Sequence, residues 1–360
     1  MVKRFTPADR MAPYERAAQA VLDAIRRGVD PWRPSWSAAV NINVPFVPVN
    51  ALTGRQYRGV NRIVLSFAAF DDGDDVKICM AGGDPRFCTF NQATGRGWRI
   101  KKGAKGFPVF FYKRRESTLA IDDPGEVDEA RLAADRGDDS FVIEGEEVFR
   151  KRSIPILKTY TVFHASQIDG IPAIEDVIVP ALGWASVEAA EQIAAASGVP
   201  VIHGSTQAAY VPALDKALMP AKHSFSSAAD YYTTLIHELG HATGHPSRLA
   251  RMFGMPGTTD YAREELRAEM ASFMLCGEIG LNGKIEDHAS YIDHYLKLLE
   301  NDPRELFRAS KDAQEIADWL YERAFGQRLD LVFDYGVRTD DNERVMIDVA
   351  DIDGYQLALL

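Results

Sequence analysis

The residues with the clearest capacity for chemistry are the five from His237 to His241, which read His-Glu-Leu-Gly-His. On a helix, residues four apart lie on one face, so the imidazoles of His237 and His241 can reach the same metal ion. Glu238 projects about 100° away from His237, close enough to hold a metal-bound water without ligating the metal. Zn²⁺ would lower the pKa of that water towards ~7, and Glu238 would accept its proton. The motif predicts a catalytic metal centre.

The sequence around the motif predicts the helix that this geometry requires. Ser227 followed by Asp230 forms a capping box at the start of the segment, and Gly244 provides a stop. Between them, apolar residues recur at helical spacing: Tyr231, Leu235 and Leu239. The two histidines are therefore expected on a regular helix that buries one face.

A third protein ligand is needed, and a second predicted helix supplies the candidates. The segment Glu265-x-x-Ala268-Glu269 resembles the gluzincin arrangement, in which the first Glu ligates the metal. In that arrangement, the acid one turn later hydrogen-bonds a ligand imidazole. We therefore predict Glu265 as the third ligand and Glu269 as its support. Glu264 remains the competing choice for ligand, and Zn²⁺ could be replaced by another divalent transition metal such as Mn²⁺.

Two further residues near the motif are candidates for supporting roles. The metzincin pattern requires a third histidine at position 247, where this chain has Ser247. His245 lies nearby, but it follows a glycine and precedes Pro246, so a capping or substrate-side role is favoured over ligation. Tyr261 precedes the second helix, and its hydroxyl could stabilise an oxyanion or pack against the fold.

Composition limits the possible classes of protein. The chain has 360 residues, of which 46% are hydrophobic and 26% charged, which excludes a disordered or collagenous protein. Three cysteines without a close-spaced pair argue against a disulfide framework and a cysteine-rich metal site. Residues 1–7 lack the apolar stretch of a signal peptide, and no apolar run reaches the ~18–20 residues of a membrane span. We expect a soluble, cytoplasmic protein without membrane contact.

The net charge of −11 conceals a strongly basic N-terminal third. Residues 1–115 contain 20 Lys and Arg against 9 Asp and Glu, whereas the whole chain contains 41 and 52. Tryptophans are interleaved with these cations, which is the combination that stacks bases and neutralises phosphates in single-stranded nucleic acid. The candidate strand contacts are Trp32, Trp36, Arg55, Tyr57, Arg58, Asn61, Trp98, Arg99, Lys101, Lys102 and Lys105.

The pattern along the chain predicts an α+β protein, with a small mixed α/β domain followed by a mainly helical one. A helix is expected over 13–27, and short strands at 63–65, 76–80, 109–112 and 158–163. A further pair of short strands is expected near 199–202 and 209–211. Residues 116–147 hold 12 acidic and 2 basic residues with several breaks in periodicity, which predicts an exposed, mobile insertion. We predict domains at 1–170, with the acidic insertion at about 116–150, and at 171–360.

Taken together, these segments resemble the ArdC antirestriction family, with relatives in plasmid primase N-termini. The matching residues include Thr53-Gly54-x-x-Tyr57-Arg58-Gly59-x-Asn61, Tyr210-x-Pro212-x-x-Asp215, the segment from His237 to Leu249, and Glu264 to Glu269. The resemblance implies an N-terminal domain that binds single-stranded DNA and a C-terminal zincin-like metallopeptidase domain. It further implies protection of incoming plasmid or phage DNA, with a host restriction-related protein as substrate or target.

Two alternatives to a DNA-tethered metallopeptidase stay open at this point. In the first, coating of the DNA strand suffices, and the metal site is structural or vestigial. In the second, the protein is a metal-dependent nuclease. Nuclease sites favour carboxylate-rich Mg²⁺ coordination, whereas two imidazoles on one helix favour Zn²⁺ or a similar ion, so the nuclease ranks last.

Overall fold

A computed structural model describes residues 12–26, 47–71, 76–79, 84–138, 140–173, 186–281 and 289–326. Within these residues the chain forms two compact units. Unit 1 is built from residues 12–109 and 161–326, and unit 2 from residues 110–160.

The helices and strands follow one another in an α+β order, as the sequence predicts. The described helices are α1 (Pro13–Arg26), α2 (Gly59–Ser66), α3 (Phe90–Gly95), α4 (Pro124–Asp135), α5 (Ser186–Ala196), α6 (Ala228–Ala242), α7 (Thr259–Glu278), α8 (Ala289–Asn301) and α9 (Glu305–Phe325). The described strands are β1 (Val49–Asn50), β2 (Ala69–Asp71), β3 (Val76–Ile78), β4 (Arg86–Thr89), β5 (Arg99–Ile100), β6 (Phe107–Ala120), β7 (Phe141–Glu144), β8 (Glu147–His164), β9 (Ile168–Asp169), β10 (Val201–His203), β11 (Ala209–Val211) and β12 (Lys216–Met219).

The first sheet has the strand order β1-β4-β8-β6. Strand β4 runs parallel to β1 and antiparallel to β8, with Phe87 opposite His164. Helix α3 follows β4 directly because Thr89 caps it. The hydroxyl of Thr89 accepts from the backbone N–H of Gln92, and the side-chain oxygen of Gln92 accepts from the backbone N–H of Thr89. The predicted helix at 13–27 is confirmed as α1, and the predicted strand at 158–163 is part of β8.

The predicted strand at 63–65 is wrong, because these residues lie in helix α2. Ile63, Val64 and Leu65 are all buried, since α2 packs against both α1 and α9. A short continuous apolar run has no readable period, so the sequence could not separate a buried strand from a buried helix.

The acidic segment has more regular structure than its composition suggests. Most of its side chains are exposed, but it forms the end of β6, helix α4 and strand β7, which pairs antiparallel with β8. The interruption at Pro124 is the first residue of α4, where proline suits the helix, and Asp123 caps it by accepting from the N–H of Glu126. The segment is thus exposed, as expected, but it contains a helix and strands that the breaks in periodicity did not predict, and its mobility stays a prediction.

The remainder of unit 1 places a small sheet beside a helical layer. Strand β10 is parallel to β12, and β11 is antiparallel to it, giving the order β10-β12-β11. The two strands predicted near 199–202 and 209–211 thus exist, but each pairs with β12. Helix α6 packs on β11, β12 and α7, and α7 packs on α9. These contacts set α6 between the sheet and α7.

A buried ion pair joins α2 to α7 within unit 1. Nη1 of Arg62 donates to Oε1 of Glu278 at 2.6 Å, and the two side chains are 1% and 2% exposed.

In the ranges described, no helix is both long enough and apolar enough to cross a membrane.

Candidate metal centre

Helix α6 presents its two histidines to one point in space. The Oγ of Ser227 caps the helix by accepting from the N–H of Asp230 at 3.0 Å, as the sequence predicts. The Nε2 atoms of His237 and His241 lie 3.1 Å apart, and the two rings are nearly perpendicular. Both imidazoles therefore direct the same nitrogen at a common position.

Helix α7 brings Glu265 to that position. Its Oε2 lies 3.7 Å from Nε2 of His237, and its Oε1 lies 3.6 Å from Nε2 of His241. One donor atom from each of these three residues can be chosen so that all lie within 4.8 Å of one another. Gly240 faces Ala268 where the two helices pack, and a Cβ on Gly240 would lie 3.6 Å from the Cα of Ala268, an ordinary contact distance.

The neighbouring glutamates on α7 also act on the imidazoles. Oε1 of Glu264 lies 3.5 Å from Nδ1 of His241, opposite the nitrogen that faces Glu265. Glu269 is buried, and its charge helps to raise the pKa of His237. The sequence left Glu264 and Glu265 as rival ligands, whereas the structure gives Glu265 the shared position and Glu264 the outer side of His241.

The electrostatics of the cluster suit a cation. Burial would lower the pKa of His237 and His241, but Glu265 and, for His241, Glu264 raise both above the ordinary value. Burial would raise the pKa of Glu265, but the two nearby imidazoles hold it well below its ordinary range. Several carboxylates are therefore concentrated in a buried site, an arrangement that attracts a positive ion.

Glu238 is held beside the cluster by the sheet. Its Oε2 accepts a hydrogen bond of 2.6 Å from the backbone N–H of Tyr210 in β11. The side chain is buried, and its charge contributes to the raised pKa of both His237 and His241. Glu238 is thus close to both imidazoles without belonging to the three-residue donor group.

A polar network anchors the strand that holds Glu238. The hydroxyl of Tyr210 donates to Oδ1 of Asp215 at 2.8 Å, and Arg248 binds both carboxylate oxygens of Asp215 at 2.8 and 2.9 Å. Arg248 also donates to the carbonyl of Ala242 at the end of α6. The network therefore ties strand β11 to the helix that carries the histidines.

The two candidate supporting residues lie at the edges of the site. His245 follows the end of α6, with its Nδ1 2.7 Å from Oγ of Ser247, and it is not part of the donor group among the described residues. Nearby, the hydrogen bond from Arg248 lowers the pKa of Asp215. Tyr261 is half-buried in the first turn of α7, where its N–H donates to Oγ1 of Thr258. A role for its hydroxyl stays a prediction.

The residues predicted to contact single-stranded DNA differ in how far their side chains are exposed. Tyr57 is 8% exposed and its hydroxyl accepts from the side chain of Asn50, so little of its ring is open to stacking, and its role in DNA binding stays a prediction. Arg58 is paired with Asp318 of α9, and Asn61 is half-buried in α2. Trp98 packs one side against a small core around Ala51 and Ile168. The exposed cations are Arg55, Arg99, Lys101, Lys102 and Lys105, while Trp32 and Trp36 lie outside the described residues.

No local pattern in the sequence marks the residues that support the site from outside the two helices. Tyr210, Asp215 and Arg248 are part of the segments that resemble the ArdC family, and Arg251 lies outside them. Their partners come from separate segments, so spacing along the chain carries no signal for them. A charged residue placed just after a helix, as Arg248 and Arg251 are, is the one hint that the sequence offered.

Comparison with known families finds two successive matched segments in the chain. Residues 11–163 match the N-terminal domain of anti-restriction factor ArdC, and residues 188–312 match the zincin-like metallopeptidase family. The fold and the donor cluster thus define a class of protein in which an ArdC N-terminal domain precedes a zincin-like domain.

Individual relatives narrow this class. Over 88% of its length the chain is 36% identical to the DNA primase TraC of Escherichia coli, but it spans 27% of that primase. It covers 94% of protein y4eC of Sinorhizobium fredii at 32% identity. The metal-free crystal structure of the antirestriction protein ArdC from plasmid R388 is 31% identical, with 99% of that chain covered and a TM-score of 0.61. A Mn(II)-bound structure of the same protein matches with a TM-score of 0.60. The chain belongs to the ArdC antirestriction family.

Proposed function

We propose that the protein binds single-stranded DNA and carries a metal-dependent peptidase site, and that it protects incoming plasmid or phage DNA from host restriction. The observation that carries the proposal is the convergence of His237, His241 and Glu265, with Glu238 held beside them. The target of the peptidase site would be a peptide bond in a host restriction-related protein. The R388 relative, an antirestriction protein, supports the biological role.

The donor set fits a divalent transition metal. Two imidazole nitrogens and one carboxylate match the three protein ligands of catalytic zinc sites, which leave a further position open. We propose Zn²⁺ as the ion, with Mn²⁺ as the alternative that the relative's Mn(II)-bound structure supports. When bound, the ion would polarise a carbonyl group and lower the pKa of a water molecule.

Glu238 would act as the proton carrier of the reaction. Its carboxylate is buried, and the N–H of Tyr210 occupies Oε2. Oε1 is then the oxygen placed to accept a proton from the attacking water and to return it to the leaving amine. Because the hydrogen bond from β11 fixes the carboxylate, little reorganisation is needed during proton transfer. The Tyr261 hydroxyl is proposed to stabilise the oxyanion, and His245 to act on the substrate side.

Strand binding would use the exposed cations of unit 1. Arg99, Lys101 and Lys102 follow Trp98 directly, around the short strand β5, so aromatic and basic groups adjoin. Such surfaces bind single strands through base stacking and phosphate neutralisation, with little dependence on base sequence. The predicted contributions of Trp32 and Trp36 remain part of this proposal.

The donor chemistry separates the alternatives. A nuclease site for Mg²⁺ would present mainly oxygen ligands, whereas two imidazoles face the shared position here. A vestigial site would not need a buried carboxylate near the donors that a backbone N–H holds in place, as the N–H of Tyr210 holds Glu238 at 2.6 Å. The peptidase is therefore the function that the geometry supports best.

Substitution of Glu238 by Gln tests the proposal. Gln retains an oxygen that can accept from Tyr210, so the fold should be kept, but it cannot carry the proton. We expect protection of transferred plasmid DNA in a restricting host to be lost, with unchanged affinity for a single-stranded oligonucleotide. If Glu238→Gln protects as well as the wild type, while Lys102→Ala with Lys105→Ala does not, strand coating is the function and catalysis is rejected.

A further inference from the structure

Arg251 reaches from the segment after α6 back into the metal site. Its Nη2 donates to Oε1 of Glu264 at 2.7 Å, and its Nε donates to Oε2 of the same carboxylate at 3.2 Å. The guanidinium also donates to Oγ1 of Thr243 at 2.7 Å and to the carbonyl of Gly240 at 2.9 Å. The side chain is 13% exposed. The two planar groups therefore form a largely buried, two-point ion pair.

We propose that Arg251 is a positioning residue for the metal site, which sets the affinity for the ion by fixing Glu264 against His241. The inference rests on the proposed metal site and adds a residue to which nothing in the sequence pattern assigned a function. It also gives Glu264 a defined task, as the carboxylate that orients a ligand and not as a ligand itself.

The geometry of His241 leads to this assignment. Its Nε2 faces His237 and Glu265, so Nδ1 is the nitrogen left to fix the rotation of the ring. Oε1 of Glu264 lies 3.5 Å from that nitrogen, and the same oxygen accepts from Arg251. A carboxylate gripped at both oxygens cannot rotate away, so the imidazole keeps the direction required for ligation.

The glycine in the same segment keeps the region beside the end of α6 open. A Cβ at Gly244 would lie 2.7 Å from the ring of Phe253, 3.1 Å from the carbonyl oxygen of His241 and 3.3 Å from Nη2 of Arg251. The backbone of Gly244 has φ outside the left-handed region, so the glycine is required here for space and not for its conformation. That space is taken chiefly by the Phe253 ring, and the guanidinium of Arg251 packs next to it.

A purely structural role for Arg251 makes a different prediction. The bonds to Thr243 and Gly240 could simply hold the end of α6, in which case metal affinity of the folded protein would not depend on Glu264. Thr243→Val is the matched control, because it removes the hydroxyl that accepts from Arg251 and keeps the shape of the side chain. The ion pair with Glu264 is left intact.

The test is a titration of the metal-free full-length protein with Mn²⁺, followed by the electron paramagnetic resonance signal of the unbound ion. We expect Arg251→Met and Glu264→Gln each to weaken binding by about 10–100-fold. The double variant should be no weaker than the weaker single variant, because both changes remove the same support. Thr243→Val should stay within about threefold of the wild type. Arg251→Lys, which keeps the charge but not the two-point pairing, should fall between wild type and Arg251→Met.

Three results would overturn the inference: wild-type affinity in Arg251→Met, additive losses in the double variant, or a loss in Thr243→Val as large as in Arg251→Met. If Arg251→Met does not fold, as judged by circular dichroism of the metal-free protein, Arg251→Lys and Glu264→Gln decide the question. If the wild type itself binds no Mn²⁺ and no Zn²⁺, the proposed metal site fails, and the inference fails with it.

Discussion

The backbone N–H of Tyr210 in strand β11 donates to Oε2 of Glu238 in helix α6 across 2.6 Å. The sheet therefore holds the residue proposed to carry the proton, while helix α7 supplies the proposed third ligand. Because the donor is a main-chain group, the strand itself becomes part of the proposed site. Its attachment to α6 through Asp215 and Arg248 then matters for the proposed catalysis as well as for stability.

Asp215 offers a test of that attachment. It has a φ of 48°, and its carboxylate binds Arg248 and the hydroxyl of Tyr210. Asp215→Asn tolerates the left-handed backbone but loses the charge, whereas Asp215→Ala also carries a backbone cost of about 1–2 kcal/mol. We expect the free energy of unfolding in urea to fall in both variants, and further in Asp215→Ala. Equal values for the two variants would show that the backbone conformation is not strained at this position.

The buried pair of Arg62 and Glu278 should dominate the stability of the contact between α2 and α7. Arg62→Met or Glu278→Leu leaves one buried charge without its partner, which costs about 3–5 kcal/mol. The double variant removes both charges and should lose less than either single one. Lys311→Met breaks an exposed pair with Glu315 and should cost at most about 1 kcal/mol. Urea denaturation measures all four, and a double variant with additive losses would reject the buried-pair account.

His164 should make stability depend on pH. Its Nε2 lies 2.7 Å from the carbonyl of Asp84 and so carries the proton, while Nδ1 accepts from the N–H of Ser166. Burial lowers the pKa of His164, outweighing the bond to Asp84. The folded state therefore resists protonation that the unfolded state accepts near its ordinary value of about 6.5.

The direction of this pH dependence follows from the lowered pKa of His164 in the folded state. The contribution of neutral His164 is intact above the pKa of the unfolded state and is lost as the pH falls from there to the lower pKa of the folded state. His164→Gln keeps a donor and an acceptor but cannot titrate, so its free energy of unfolding should fall less between about pH 7 and pH 5. His223→Gln, at an exposed position, should follow the wild type. Parallel curves for wild type and His164→Gln would contradict the prediction.

Strand binding should respond to salt through the exposed lysines. Lys102 and Lys105 are both exposed, so each can neutralise a phosphate. For single strands, the slope of log affinity against log salt falls by about 0.7 for each phosphate contact that is lost. Lys102→Ala with Lys105→Ala should therefore weaken binding and flatten the slope by about 1.4. Fluorescence anisotropy with a labelled oligonucleotide measures both. Lys297→Ala, on α8, is the control, and an unchanged slope in the double variant would remove these lysines from the interface.

The sequence was informative where one segment carries the whole signal. The helix of His237 and His241 could be predicted because its cap, apolar stripe and stop lie within 18 residues of chain, from Ser227 to Gly244. The acidic residues of α7 were placed on the right helix for the same reason. What spacing could not decide was which carboxylate faces inward, because Glu264 and Glu265 are adjacent and their directions depend on how α7 packs against α6 and α9.

Residues whose partners lie far along the chain were beyond reach. Arg58 is of a residue type that contacts phosphates, yet it pairs with Asp318. Tyr57 is of a residue type that stacks on bases, yet it is buried. Arg251 pairs with Glu264 because the chain turns back after α6, and no local sequence pattern predicts that turn. Long-range pairing of this kind is visible in a structure and not in composition or periodicity.

The central claim is that His237, His241 and Glu265 hold a divalent ion, and metal content tests it most directly. Wild type and Glu265→Ala are dialysed against Zn²⁺ and, separately, Mn²⁺, then freed of unbound ion and analysed by mass spectrometry for metal. Glu188→Ala, an exposed change on α5, is the control. We predict about one ion per chain in wild type and control, and a large loss in Glu265→Ala with its helix content unchanged. Wild-type protein without metal after dialysis against either ion, or full occupancy in Glu265→Ala, would contradict the account.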